Sequence, residues 1–219
     1  MRIITTILFD LDQTLYAPGT GLLQAGDCRI TDFLAHRLQM PREHADELRQ
    51  RLWREYGTTA RGGEIEFGIP QREMYVDSFE GFDPAQYLCP DEPLARMLEG
   101  LDAELYVVTN SAADYAEKVL QALEIDHCFD GVFDIEAMDW CPKPEVSAYA
   151  CVLAELGRDP VDVAMVEDFP WNLVPAQDLG MFTIYLGQEE VVADLSLMTL
   201  LELPKMLAAA GIMLMRPEE

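Results

Sequence analysis

Two carboxylates, Asp10 and Asp12, stand two positions apart where the apolar run 3–9 ends. That run is rich in β-branched and aromatic residues and has the length of a buried parallel strand. A carboxylate at the C-terminal end of such a strand lies at the sheet edge where α/β proteins gather their ligands. Like charges this close are tolerated when a cation or a shared proton relieves their repulsion. A hard ion such as Mg²⁺, held by one or two carboxylates with water and substrate phosphate, meets that requirement. A solvated Asp-x-Asp turn is the plain alternative.

Three further segments end in polar groups of complementary kinds. Leu105-Tyr-Val-Val-Thr-Asn-Ser111 reads as a buried strand closing on Thr109 and Asn110, with a helix starting near Ala112. Hydroxyl and backbone N–H donors at such a junction can hold phosphate oxygens, although capping the helix is their ordinary use. Lys143 lies between Pro142 and Pro144, ahead of a helical pattern running to Leu156, with Pro144 as its first residue. Val163–Asp168 is a third strand ending in acids, followed by Phe-Pro-Trp-Asn172 and a helical pattern from Leu173 to Leu179. Asp168 is thus a second candidate for metal ligation. Neutral donors, one lysine and paired acids at strand ends are what phosphoryl transfer requires.

Taken in order, Asp10-Leu-Asp12-Gln-Thr14, Thr109, Lys143 and Glu167-Asp168 with Asn172 resemble the four motifs of the haloacid dehalogenase superfamily of phosphohydrolases. The resemblance implies a Rossmann-like parallel sheet flanked by helices, with a small α-helical cap inserted after the first strand. It also implies Asp10 as nucleophile and Asp12 as general acid/base, with Thr109 and Lys143 on the transferring phosphoryl group. Mg²⁺ would be held by Asp10, the backbone carbonyl of Asp12, and Asp168. One departure stands out: many members carry Gly-Asp and a second Asp four residues later, where this chain has Glu167-Asp168 and Asn172. The roles of Glu167 and Asn172 are left open by that change, including whether Asn172 bonds Lys143. A dehalogenase attacks carbon and needs no second acid, so Asp12 favours phosphate as the group attacked.

The elements that must position these groups divide unevenly along the chain. Residues 1–16 and 90–219 alternate strand and helix patterns, which predicts right-handed crossovers and a parallel sheet. Residues 17–89 are different, with amphipathic helical runs at 31–40, 42–56 and 71–79. They are assigned to the cap. Within them Trp53-Arg-Glu-Tyr56-Gly-Thr-Thr-Ala-Arg61-Gly62 mixes aromatic, hydroxyl and basic groups in a glycine-rich break, so Trp53 and Tyr56 are candidates for substrate contact. They serve equally as packing residues of a helix that stops at Gly57. With Phe-Asp-Leu-Asp-Gln-Thr-Leu-Tyr16 and Val-Glu-Asp168, the Tyr-Gly-Thr-Thr stretch is similar to the pyrimidine 5′-nucleotidase branch. That similarity implies nucleoside 5′-monophosphates as substrates, pyrimidine preferred. A sugar-phosphate phosphatase or phosphomutase, or a non-catalytic binding protein on the same fold, are the alternatives.

Composition bounds the partners. With 40 acidic against 15 basic residues, the net charge of −25 argues against a nucleic-acid polymer, which needs clustered Lys and Arg. A small phosphate ester is the expected partner, for a chain acting as monomer or homodimer. Cys28, Cys89, Cys128, Cys141 and Cys151 show no Cys-x-x-Cys pair and no histidine at zinc-site spacing, so reduced thiols in a cytoplasmic protein are expected. His36, His44 and His127 read as surface or cap residues. The basic start is a single Arg2 before a run ended by Asp10, which suits a strand and not a signal peptide. The Leu- and Met-rich stretch 195–215 is interrupted by Glu202, Pro204 and Lys205, so two short packed helices are expected there and not a membrane anchor.

Overall fold

A computed structural model describes residues 2–217. Its centre is a six-stranded, all-parallel sheet of β2 (Thr6–Phe9), β3 (Glu104–Val108), β4 (Gly131–Phe133), β5 (Val163–Glu167), β6 (Phe182–Leu186) and β7 (Leu195–Leu197), in the order β4-β3-β2-β5-β6-β7. Alternation along the strands divides two cores. Ile7, Phe9, Val107 and Val166 face the helices α5 (Glu92–Glu99), α6 (Ala113–Leu123) and α9 (Leu203–Ala209). Leu8, Val108 and Met165 face α7 (Val146–Leu156) and α8 (Pro170–Asp178) on the other side. Because both faces are covered, the central strands are mainly apolar, with polar residues such as Thr6, Glu104 and Glu167 at their ends.

Register places the chemistry. Phe9 pairs with Val107 of β3 and with Val166 of β5, so the residues following these three strands emerge abreast. The strand expected over 3–9 is two strands: β1 (Arg2–Ile4) pairs with β8 (Ile212–Leu214) in a separate two-stranded parallel sheet. Thr5 divides them, its backbone bonded to Asp162 on one side and Glu104 on the other.

Between β2 and β3 the chain forms α1 (Leu22–Arg37), α2 (Arg42–Tyr56), α3 (Thr59–Phe67) and α4 (Gln71–Phe79), packed on a small core that includes Leu34, Ala45, Ala60, Ile69 and Met74. α1 starts well before the expected Thr31. The glycine-rich break expected after Gly57 is instead the helix α3, capped by the Thr58 hydroxyl, which accepts from the Arg61 N–H at 3.1 Å. Gly62 and Gly63 are there for closeness and not flexibility. A Cβ on Gly62 would lie 2.7 Å from Tyr56 and 2.8 Å from Leu52, and one on Gly63 would lie 2.7 Å from Met74.

Three other expectations are corrected. The stretch 195–215 is strand, a 3₁₀ turn at Leu200–Glu202, helix and strand, since β7 extends the sheet beside β6 and β8 finds β1. Unpaired sheet edges outweigh local helix preference in such short runs. Pro144 lies outside α7, which Glu145 precedes as N-cap. α8 begins at Pro170, earlier than Leu173, because a proline suits the first helical turn. Among the described residues no helix is long and apolar enough to cross a membrane.

Candidate active site

Asp10 is held at the end of β2 by its own N–H, which donates to the Val166 carbonyl at 2.9 Å. The chain then turns sharply: Gln13 takes a positive φ of 64°, and Leu15 N–H returns to the Leu11 carbonyl at 3.0 Å. After this turn Asp12 has partners different from those of Asp10. The Asp12 carboxylate accepts from Tyr16 Oη at 2.5 Å, Tyr115 Oη at 2.8 Å and Ser111 Oγ at 3.1 Å. Burial, then the charge of Asp10, raises the Asp12 pKa, while the three hydroxyls oppose that rise.

Across the sheet, Lys143 is 1% exposed, and its ammonium donates to Asp10 Oδ1 at 2.6 Å and Glu167 Oε2 at 2.8 Å. Burial works against that charge, but Asp10 and Glu167 outweigh it and hold the Lys143 pKa above the ordinary lysine range. Asp168 is fastened by the Thr14 hydroxyl at 3.3 Å. Burial first, and then Asp10, push the Glu167 and Asp168 carboxyls upward. Carboxylate oxygens of Asp10, Glu167 and Asp168 lie within 4.8 Å of one another. Three carboxylates facing one ammonium leave a surplus of negative charge in a buried place, and all-oxygen donors are the set a hard divalent cation takes. These residues therefore fit Mg²⁺.

Thr109 is buried at the end of β3, where its N–H donates to the Phe133 carbonyl at 2.9 Å and its Oγ1 accepts from the Ser111 N–H at 3.0 Å. Asn110 is occupied differently. Its Oδ1 accepts from the Lys143 N–H at 2.7 Å and its Nδ2 donates to the Lys143 carbonyl at 2.9 Å. The side chain thus clamps the peptide that carries the lysine. Asn172 is buried near the same place, and its carbonyl accepts from Tyr149 Oη at 2.5 Å. The Lys143 ammonium donates to Asp10 and Glu167, and among the described residues no hydrogen bond joins it to Asn172, while its third N–H remains for a substrate oxygen.

The four-helix insert covers these groups and encloses with them a cavity of about 820 Å³. Trp53 and Tyr56 both line it, with Leu23, Phe79, Arg49 and Thr58. The Trp53 indole tilts against Phe169 of the core at 5.5 Å between ring centroids. Tyr56 places its ring beside Gly62 and donates its hydroxyl to Glu66 at 3.0 Å. Two contacts join the insert to the Lys143 clamp. Tyr75 Oη donates to the Asn110 carbonyl at 2.7 Å, and Gly57, at φ +81°, runs so near that a Cβ would lie 3.1 Å from the Lys143 carbonyl oxygen. Only glycine suits both that φ and that approach.

Asp10, Thr109, Asn110, Lys143 and Asp168 thus converge at one sheet edge, with Asp12 directed to a neighbouring hydroxyl cluster. Glu167 joins the acids. Tyr16, Tyr115, Ser111 and Tyr75 are contacts that sequence reasoning missed. Tyr16 had a visible signal, four residues from Asp12, whereas Tyr115 and Tyr75 sit in amphipathic runs where a tyrosine reads as packing.

Residues 4–180 match the family described as a hydrolase, haloacid dehalogenase-like hydrolase. Two curated relatives are Phosphate metabolism protein 8 of Saccharomyces cerevisiae, 27% identical over 132 residues, and the sesquiterpene phosphatase astK of Aspergillus oryzae, 31% identical over 94 residues. These matches cover 57% and 42% of this chain, and 41% and 47% of the relatives. The matched part therefore spans less than half the length of either. A solved phosphatase of the same superfamily from Thermococcus onnurineus superposes with a TM-score of 0.67 at 21% identity, over 93% of this chain and 98% of the other. L-2-haloacid dehalogenase from Xanthobacter autotrophicus, with chloropropionic acid covalently bound, gives 0.60 at 16% identity, over 94% and 98%. At these identities the two structures speak for the fold alone. The match over residues 4–180, more than half of the chain, shows that this protein belongs to the haloacid dehalogenase-like hydrolase family.

Proposed function

We propose that the protein is a Mg²⁺-dependent phosphomonoester hydrolase working through an aspartyl-phosphate, with nucleoside 5′-monophosphates as substrates and pyrimidines preferred. The observation that carries this reading is the buried Lys143, bonded to Asp10 and Glu167 at the floor of a cavity far larger than a phosphoryl group. Asp10 attacks phosphorus as the bond to the leaving oxygen breaks, and Asp12 gives that oxygen its proton. Asp12 then takes a proton from water, whose oxygen attacks phosphorus and releases Asp10. Lys143 and the Thr109 hydroxyl hold the phosphoryl oxygens, since positioning and charge neutralisation dominate this chemistry. Asp10, Asp168 and the Asp12 backbone carbonyl would hold Mg²⁺, which when bound supplies further neutralisation of phosphoryl charge.

Residues 17–89 act as a cap that reads the leaving group. Leu23, Trp53 and Phe79 suit a planar base better than a bare sugar, whose hydroxyls need polar partners when buried. Five free thiols suit a reducing, cytoplasmic setting. The test is turnover of a panel of nucleoside monophosphates, sugar phosphates and an aryl phosphate, with and without Mg²⁺. The highest kcat/KM is expected for UMP or CMP. Faster sugar phosphates overturn the nucleotide assignment, and no turnover of any ester overturns the enzyme in favour of a binding protein.

A further inference from the structure

A second cluster of ligating atoms lies away from the cavity. Glu99 is the last residue of α5, and His127 and Cys128 lie in the 3₁₀ turn Asp126–Cys128. Glu99 precedes β3 and the turn precedes β4, so the three stand at the N-terminal edge of the sheet, opposite Asp10. The sequence hid this grouping because Glu99 is remote from the other two.

His127 Nε2 is 3.2 Å from Glu99 Oε1 and 3.6 Å from Cys128 Sγ, and a ligand atom of each residue lies within 4.8 Å of the others. A tetrahedral Zn²⁺ with bonds of about 2.3 Å to sulfur and about 2.0–2.2 Å to nitrogen and oxygen has edges of roughly 3.5 Å for N···S and roughly 3.4 Å for N···O. The observed separations are close to those edges. The ring nitrogen also faces both a carboxylate and a thiol. Without a metal that nitrogen donates to Glu99 and the thiol reaches the Ala95 carbonyl at 3.9 Å, whereas a cation at the centre would engage the carboxylate, the imidazole and the sulfur together. Sulfur, imidazole and carboxylate together select a borderline ion over Mg²⁺. Asp126 beside the cluster and the chain's net charge of −25 draw cations toward it.

We infer that Glu99, His127 and Cys128 bind a divalent cation of the zinc class, with a fourth position left to water. The bound ion ties the end of α5 to the turn that enters β4, and the Cys128 thiol gives its proton to solvent as the metal–sulfur bond forms. This site is independent of the reaction proposed above.

The experiment uses the full chain, freed of metal by a chelator and then kept in excess Mg²⁺ so that the oxygen site at Asp10 is occupied. Co²⁺ is added and the near-ultraviolet thiolate-to-cobalt absorption followed, which an all-oxygen site cannot produce. One equivalent is expected to give the band, and Zn²⁺ but not Mg²⁺ to remove it. Cys128→Ser should abolish it, and His127→Asn and Glu99→Gln should each weaken cobalt binding by at least roughly tenfold. Circular dichroism checks that the variants fold, including that of the half-buried Cys128. No band in the unaltered protein, a band surviving in Cys128→Ser, or affinity unmoved by both other variants overturns the site.

Discussion

Replacing Asn110 by Ala removes both hydrogen bonds that hold the Lys143 peptide, at 2.7 and 2.9 Å. Each contributes about 1 kcal/mol net, and a peptide group left unpaired out of reach of water costs about 1–3 kcal/mol more. Asn110 is half-buried, so water can reach part of the gap, and a total near 2–3 kcal/mol is expected. For a chain of this length each kcal/mol lowers Tm by about 2–4 °C, giving a fall of about 4–12 °C by calorimetry or thermal circular dichroism. The functional effect is on position: a reacting group displaced by about 1 Å costs about a hundredfold in rate. The expected signature is a kcat about a hundredfold lower with KM changed much less, because substrate contacts of the insert remain. Asn110→Asp keeps an acceptor for the Lys143 N–H but sets an oxygen against the Lys143 carbonyl, so it should rescue little. An alanine variant with unchanged Tm and kcat but raised KM would refute the clamp and return the Asn110 side chain to direct substrate contact.

Asp10→Asn should stay folded and lose turnover, and Asp12→Asn should harm alkyl esters far more than an activated aryl phosphate, because the latter's leaving group needs less protonation; equal losses in a steady-state comparison contradict the acid's role. Chelation should abolish activity and Mg²⁺ restore it, with Asp168→Ala raising the metal requirement roughly tenfold or more in a Mg²⁺ titration. Indifference to EDTA refutes that site. Trp53→Ala should raise KM for a nucleotide and leave a small aryl phosphate little changed, an aromatic contact being worth about 0.5–1.5 kcal/mol beyond its area. Gly62→Ala should destabilise the protein by about 1–3 kcal/mol in denaturant unfolding, since its Cβ enters space held by Leu52 and Tyr56.

Strand ends were the legible part of this chain. The placing of Asp10, Thr109 and Asp168 at one sheet edge is legible because a buried parallel strand is a continuous apolar run, and its polar terminus is conspicuous. Lys143 was visible for another reason, its two flanking prolines. What patterning missed depends on partners distant in sequence. Nothing local says that the Asn110 amide points at a peptide 33 residues away, or that Tyr75 reaches the Asn110 carbonyl. Gly62 and Gly63 misled for a related reason: helix propensity counts glycine as a breaker, yet here it is the only residue small enough for α3 to pack on α2 and α4. β7 and β8 give no strand signal in the sequence because three-residue strands lack a period to detect, and only the neighbouring edge makes them strands.

The register of β2 has a further meaning for how damage shows itself. Phe9 is matched to Val107 on one side and Val166 on the other, and Asp10 follows directly. Sliding β2 by a single residue would carry Asp10 about 3.3 Å along the sheet and turn every side chain of the strand to the wrong face. No graded series of slightly shifted sites lies between the matched and the slipped arrangements. Lesions deep in the sheet should therefore thin the population of competent molecules while each surviving molecule works at full speed, and counting active sites will register them where a turnover number will not.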